Sequence, residues 1–414
     1  MIFYNFIIHL LAILYRIAAL FNYKAKQFVN GRRDIFNKIS LVLKSHQSQL
    51  AWIHCASLGE FEQGRPIIEA LKKERKNTKV LLTFFSPSGY EIRKNYEFAD
   101  YVFYLPWDTP RNAKKFIEIT KPSLAIFVKY EFWYNYSSEL KKKNIPLLSV
   151  SCILRPEQAF FKSYGFIFRK ILHNFDHFFV QNQETKKLLS SIGIKSTLAG
   201  DTRFDRVLQI IQSTEEIGLA KKFKNDQKLL VAGSCWSEDI DVLIPVINTN
   251  QYNLKFIIAP HEITEAFISS IETSLQVKSV RYSKASEDSV ADSSVLIIDN
   301  IGMLSRLYRY GEVAYVGGGF GAGLHNILEA ACYGVPIFFG NKNYQKYQEA
   351  KELIMRGGAF EISGYSEFKA KYELLNNRPE NFLLACEVTK GYVEENIGAT
   401  KKIMEYCLPL LSGK

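Results

Sequence analysis

Short apolar runs rich in β-branched and aromatic residues alternate with amphipathic stretches along most of the 414 residues, and this rhythm restricts the fold more than any other feature. The runs lie at 51–55, 80–85, 101–105, 124–128, 147–150 and 177–180, with helical patterns such as 66–76 and 137–143 between several of them. Strands that are apolar throughout and separated by helices build parallel sheets covered on both faces. After a helical, charged stretch at 201–223 the rhythm restarts, with runs at 229–233, 256–259, 277–282, 295–298, 313–316 and 337–339. The expectation is an α/β protein with two Rossmann-like, doubly wound domains in tandem. Ligands are expected in a cleft where carboxyl ends of strands face each other. The domains are read as 23–208 and 209–385, with 386–414 a C-terminal helical segment packing back on the first and 1–22 a membrane-anchor helix.

The anchor reading rests on MIFYNFIIHLLAILYRIAALFNYKAKQ, a mostly apolar stretch near the minimum for a bilayer span and without a signal-peptide cleavage site. Asn5, His9 and Arg16 fall on one side of a helix, so a helix lying in the membrane interface competes with a spanning one, and a buried first helix of a soluble domain is the third reading. Lys24, Lys26, Arg32, Arg33 and Lys38 follow, which suits anionic headgroups on the cytoplasmic side. The formal charge of +11 also points to an anionic partner. The six cysteines are scattered, with no C-x-x-C pair and no zinc spacing, and read as reduced. No H-E-x-x-H, no Walker-type phosphate loop and no recognisable nucleic-acid-reading module is present.

Residues 313–340 carry the strongest site signal. A buried run ends in Gly317, Gly318, Gly319, Gly321 and Gly323, and a helix is expected to open near His325 and stop at Gly334. A glycine turn feeding a helix offers bare N–H groups and a positive dipole end to a phosphate, although the glycines alone equally fit a plain turn before a capped helix. Asn326 and Glu329 lie one turn apart behind it, placed to meet an anionic oxygen and a sugar or base. In the first domain Glu60 stands where the run 51–55 hands over to a helix. A general base and an ordinary acidic first-turn residue both fit it. Glu131 follows the run 124–128 beside Trp133 and Tyr134, which fit either a cleft wall or simple packing, and Arg203 follows another apolar run near the domain junction, where a ligand contact and an ordinary surface salt bridge both fit it. Pro260 and His261 end one strand of the second domain, and 299–304 follows another.

In order along the chain stand GRR (31–33), HCASLGE (54–60), YEFWYN (130–135), GDTRFD (200–205), AGSCWSED (232–239), IIAPHE (257–262), IDNIGML (298–304) and GGGFGAGLHNILEAACYGVPIFFG (317–340). Together they resemble the Kdo transferases of lipopolysaccharide synthesis, GT-B glycosyltransferases that move the acidic sugar Kdo from CMP-Kdo to the lipid A precursor, lipid IVA. The resemblance implies that Glu60 is the base and that Glu131 and Arg203 stabilise the transition state. It also implies that Pro260, His261, Ile301, Gly302, Met303, Asn326, Ile327, Leu328 and Glu329 hold CMP, with no metal and no cofactor. The implied partners are CMP-Kdo, a lipid A precursor and an anionic membrane surface, with no nucleic acid. The implied place is the bacterial inner membrane, with the catalytic domains on its cytoplasmic side. The family generally has Lys at the position of Arg203, Arg at that of His261 and Glu at that of Met303. A non-hydrolysing nucleotide-sugar epimerase and a non-catalytic nucleotide-sugar or lipid-binding protein are the rival expectations.

Overall fold

The computed structural model describes residues 2–43, 48–212 and 215–411. The chain divides into two units, one running to Arg206 and resuming at Ile397, the other Val207–Asn396.

The first unit is built on a seven-stranded sheet of β1 (Leu50–Cys55), β2 (Lys79–Phe84), β3 (Tyr101–Tyr104), β4 (Leu124–Val128), β5 (Leu147–Cys152), β6 (His177–Val180) and β7 (Ser196–Leu198). The order is β3-β2-β1-β4-β5-β6-β7 and every pairing is parallel. Residues of β1, β2, β4 and β5 are buried almost without exception, as strands covered by helices on both faces require. The order reverses between β1 and β4, so the chain leaves these neighbours toward opposite faces and opens a gap beyond their carboxyl ends. The helix Ala399–Leu410 belongs to this unit: Ile403, Met404 and Cys407 share a core with Phe61 and Ile67, and the Asp205 carboxylate accepts from the Gly398 and Thr400 amides at 2.5 and 2.6 Å.

The second unit holds another all-parallel seven-stranded sheet: β8 (Leu229–Cys235), β9 (Lys255–Pro260), β10 (Ser279–Arg281), β11 (Val295–Ile297), β12 (Val313–Val316), β13 (Ile337–Gly340) and β14 (Ala359–Ile362), in the order β10-β11-β9-β8-β12-β13-β14. Here the reversal lies between β8 and β12. The helix Pro379–Asn396 stays with this unit.

The N-terminal segment corrects one expectation. Its helix is Ile2–Ala18, 17 residues, and at a rise of ~1.5 Å per residue it falls short of a ~30 Å hydrocarbon core. Among the described residues no helix is long and apolar enough to cross a membrane. Phe3, Phe6, Leu10, Ile13, Leu14 and Ile17 are exposed, while Ile8 is buried and Tyr15 packs on Phe28 and Trp107. Polar residues fix the inner side. Tyr4 Oη donates to Asp108 Oδ2 at 2.6 Å and Asn135 Nδ2 donates to Asn5 Oδ1 at 2.9 Å. Asp108 also accepts from the Asn135 and Tyr136 amides, capping the otherwise unpaired start of the helix Tyr134–Lys142.

Arg32, read as a headgroup contact, is instead structural. Its guanidinium donates to the carbonyls of Phe28, Phe85 and Leu105 and covers the ring faces of Phe28, Phe85 and Tyr104. Gly31 beside it permits this packing, because a Cβ there would stand 2.2 Å from the Tyr104 ring. Arg33 is exposed.

Hydrogen bonds to a charged acceptor contribute about 1.5–3 kcal/mol, so Tyr4→Phe should speed amide exchange within Ile2–Ala18 by about tenfold or more. Unchanged protection would show that apolar packing of Ile8 and Tyr15 alone holds the helix.

Candidate active site

The strand order brings Glu60 and Glu131 together. Glu60 opens the helix Leu58–Glu74 directly after β1, and Glu131 follows β4, the adjacent strand across the reversal. Glu60 serves as a capping residue with one oxygen: Oε2 accepts from the Ser57 amide at 2.8 Å and from Ser57 Oγ at 3.1 Å. Burial and then the charge of Glu131 push the Glu60 carboxyl above its ordinary range, against the pull of Ser57 and His54. The first-turn reading and the base reading therefore describe the same side chain. Glu131 is 9% exposed and its Oε2 accepts from Trp133 Nε1 at 2.6 Å and faces His54 Nε2 at 2.9 Å. Lys129, two residues before it, has φ of 68°, an unusual conformation for a residue with a side chain.

Arg203 reaches the same helix indirectly. Its Nε donates to Asp201 Oδ2 at 2.9 Å, and Gln63 Nε2, one turn on from Glu60, donates to the same carboxylate. Burial alone would raise Asp201, but Arg203 and then Gln63 hold it below the usual range. Thr202 Oγ1 donates to the Gln63 carbonyl, fixing the turn.

In the second unit the glycine run lies at the reversal, beside the end of β8. Gly318 has φ of 88°, and a Cβ there would stand 2.3 Å from the Gly323 carbonyl, so this turn admits only glycine without rearrangement. Asp239 ties the two strand ends together: Oδ2 accepts from the Trp236 and Gly318 amides at 2.9 and 2.8 Å, and Oδ1 from Tyr315 Oη at 2.7 Å. Ser234, in an irregularity of β8, has φ of 55°.

The helix expected from His325 to Gly334 is only Leu328–Ala331. The preceding residues fold back instead, with the Gly323 amide donating to the Gly318 carbonyl and the His325 amide to that of Gly317. A helix of four residues has little dipole, and the amides of Gly317, Gly318, Gly321, Gly323 and His325, expected to be bare, already donate to acceptors inside the protein. Asn326 Nδ2 donates to Glu329 Oε1 at 3.2 Å. Ile327 and Leu328 are 1% and 0% exposed, so their side chains belong to the core and only their backbone can face a ligand. Pro260 is buried at the end of β9, whereas Ile301 is 92% exposed and Gly302 has φ of 98°. Met303 begins the short helix Leu304–Leu307 after β11.

His261 is part of an aromatic group. Its ring stacks on Trp236 at 4.2 Å and on His325 at 4.6 Å, while Trp236 Nε1 donates to His325 Nε2 at 3.1 Å. Burial, then the neighbouring His261, pushes His325 down to about 4, and a ring accepting at Nε2 is neutral with its proton on Nδ1. His261 is also lowered by burial, with Glu262 opposing. At neutral pH this position offers a flat, uncharged donor.

Sequence reasoning missed His54, Trp236 and Asp239. Asp239 carries a signal, standing three residues after Trp236 at the spacing of a helix-capping carboxylate.

A family model described as 3-deoxy-D-manno-octulosonic-acid transferase (kdotransferase) matches residues 31–206. The 3-deoxy-D-manno-octulosonic acid transferase of Aquifex aeolicus is 31% identical over 339 residues, covering 80% of this chain and 87% of its own. That of Rickettsia prowazekii is 26% identical over 402 residues, 94% of this chain and 86% of its own. Among solved structures, UDP-GlcNAc 2-epimerase from Neisseria meningitidis bound to UDP-GlcNAc aligns over 87% of this chain and 100% of its own, with a TM-score of 0.60 and 15% identity. A glycosyltransferase from Rickettsia africae aligns over 89% and 100%, with a TM-score of 0.56 and 11% identity. At such identities these structures show the fold alone, which is GT-B-like.

Removing the Asp239 carboxylate leaves three donors without their acceptor, so Asp239→Ala should destabilise the protein by about 3 kcal/mol or more, and Tyr315→Phe by only about 1 kcal/mol. Urea unfolding of the two variants checks the contrast.

Proposed function

The chain belongs to the 3-deoxy-D-manno-octulosonic acid (Kdo) transferase family and is a glycosyltransferase, and on that premise we propose that it transfers Kdo from CMP-Kdo to a lipid A precursor, lipid IVA, with inversion. The observation that carries the reading is the pair of carboxylates at the strand reversal of the first unit, with the one on Glu60 raised by burial and by its neighbour. A base matched to the operating pH takes the proton of the acceptor hydroxyl. The hydroxyl oxygen then bonds to the anomeric carbon of Kdo as the bond from that carbon to the phosphate oxygen breaks, and CMP leaves with the electron pair. The proton on Glu60 passes to solvent before the next turnover. Glu131 and Arg203 stabilise the transition state. In the second unit the loop of the glycine run, Asn326 and His261 hold the phosphate and nucleoside, with Glu329 on the ribose or base and Pro260 and 301–303 completing the site.

The exposed apolar side of Ile2–Ala18 lies in the interface of the inner membrane on its cytoplasmic side, and nearby Arg16, Arg33 and Lys115, which line one groove, meet acidic headgroups or acceptor phosphates. An acceptor that is a phosphorylated lipid accounts for the positive charge of the chain.

Glu60→Gln keeps shape but cannot accept a proton, so turnover should fall about 10²-fold or more while CMP affinity stays near wild type. Mass analysis of the lipid acceptor after incubation with CMP-Kdo generated in place, with calorimetry of CMP, reads both. Wild-type turnover in this variant would pass the base role to Glu131. For the membrane, Phe6→Ser with Ile13→Ser should reduce sedimentation with phosphatidylglycerol vesicles, and full retention in high salt would refute the docking face.

A further inference from the structure

His54 takes no direct part in the proposed transfer, yet it is fully buried in β1 and is bonded at both ring nitrogens. Nδ1 lies 2.9 Å from Thr83 Oγ1 and 3.1 Å from the Thr83 carbonyl oxygen; Nε2 lies 2.9 Å from Glu131 Oε2. Trp52 Nε1 donates to Thr83 Oγ1 at 2.8 Å, which leaves the threonine hydrogen free to point at His54 Nδ1. An ionised carboxylate has no hydrogen to give, so the hydrogen at Nε2 belongs to the ring. At Nε2 the bond therefore runs from His54 to Glu131, while at Nδ1 the Thr83 carbonyl can only accept and the Thr83 hydroxyl can take either part. Trp133 places a second donor on the same Glu131 oxygen.

We propose that His54 is a positioning residue: by donating to Glu131 Oε2 it fixes that carboxylate in place beside Glu60, and thereby decides that Glu60 is the carboxylate that takes the acceptor's proton. The inference rests on the reading of Glu60 as base. Two carboxylates near each other compete for one proton, and the one with better donors keeps its charge while its neighbour becomes the stronger base. Here the donors are unequal. Glu131 has two ring N–H groups on one oxygen in a buried setting, whereas Glu60 has the Ser57 amide and hydroxyl. The titratable groups that act on or feel Glu60 are Glu131 across the strand reversal, His54 and Cys55 in β1, and Tyr130 in the segment after β4. Glu131 raises Glu60, and His54 opposes it directly, so the direct and the relayed effects of His54 have opposite signs.

That opposition makes the test decisive. In the full-length protein with labelled glutamate, the carbon-13 carboxyl signal of Glu60 is titrated in wild type, Glu131→Gln, His54→Phe, His54→Gln and the double variant His54→Phe/Glu131→Gln. Loss of the neighbouring charge should lower the Glu60 midpoint by about one pH unit in Glu131→Gln. His54→Phe, which leaves Glu131 a less supported carboxylate, should lower it as well, and the double variant should go no lower than Glu131→Gln alone. His54→Gln, whose amide donates from nearly the same place, should keep the wild-type midpoint. A midpoint unmoved or raised in His54→Phe, or a further fall in the double variant, overturns the proposal. Should His54→Phe not fold, the nitrogen-15 spectrum of the otherwise wild-type ring decides: a protonated Nε2 with a downfield hydrogen that moves upfield in Glu131→Gln is required, and its absence is fatal. Transfer assays on the same variants separate the two readings, because an acidic limb that ignores the Glu60 midpoint defeats the base assignment and leaves the His54 assignment to the titration.

Discussion

The reversal of strand order, between β1 and β4 in one sheet and between β8 and β12 in the other, is the constraint from which the chemistry of this chain follows. Parallel strands exit at the same edge, and their connections ordinarily cover that edge in sequence. Only where neighbouring connections turn to opposite faces does the edge stay open. Each reversal here is lined by the segments that carry unusual groups: Glu60 and Glu131 in the first unit, the glycine run and the Trp236 turn in the second. Buried polar bonds then lock each pair of segments across the gap, His54 to Glu131 in one and Asp239 to Gly318 in the other. Without those bonds the same topology would still fold, but its strand ends would be loose.

Much of this was legible in the sequence because apolar periodicity records burial. The β-rich runs became strands, and Glu60 was placed at a strand-to-helix junction by pattern alone. Strand order was not legible, since periodicity says which residues are buried and nothing of which strand lies beside which. The proximity of Glu60 and Glu131 therefore could not be derived from the rhythm. Arg32 was misread because a cation in a basic run resembles a surface charge until the aromatic faces of Phe28, Phe85 and Tyr104 close around it. The N-terminal stretch left spanning, interfacial and buried readings open for a related reason. Its apolar residues serve two purposes, Ile8 and Tyr15 facing the protein while Phe3, Phe6 and Ile13 face outward. The helix after the glycines came out short because the glycines let the backbone fold onto itself before helical bonds begin.

The aromatic group of Trp236, His261 and His325 differs in kind from the arginine expected at the position of His261. An arginine would bring a permanent charge and a forked donor. Two neutral imidazoles stacked with an indole bring a flat face and single N–H donors, and the bond from Trp236 to His325 fixes which nitrogen of His325 carries the hydrogen.

Lys129 and Ser234 hold the left-handed backbone conformation at the carboxyl ends of β4 and β8, one strand from each reversal. A conformation that glycine adopts freely and other residues resist costs on the order of 1 kcal/mol or more at each position. Glycine would relieve that strain, yet it would also give the segments bearing Glu131 and Trp236 more freedom to wander. Selection for thermal endurance and selection for turnover would thus pull these two positions in opposite directions.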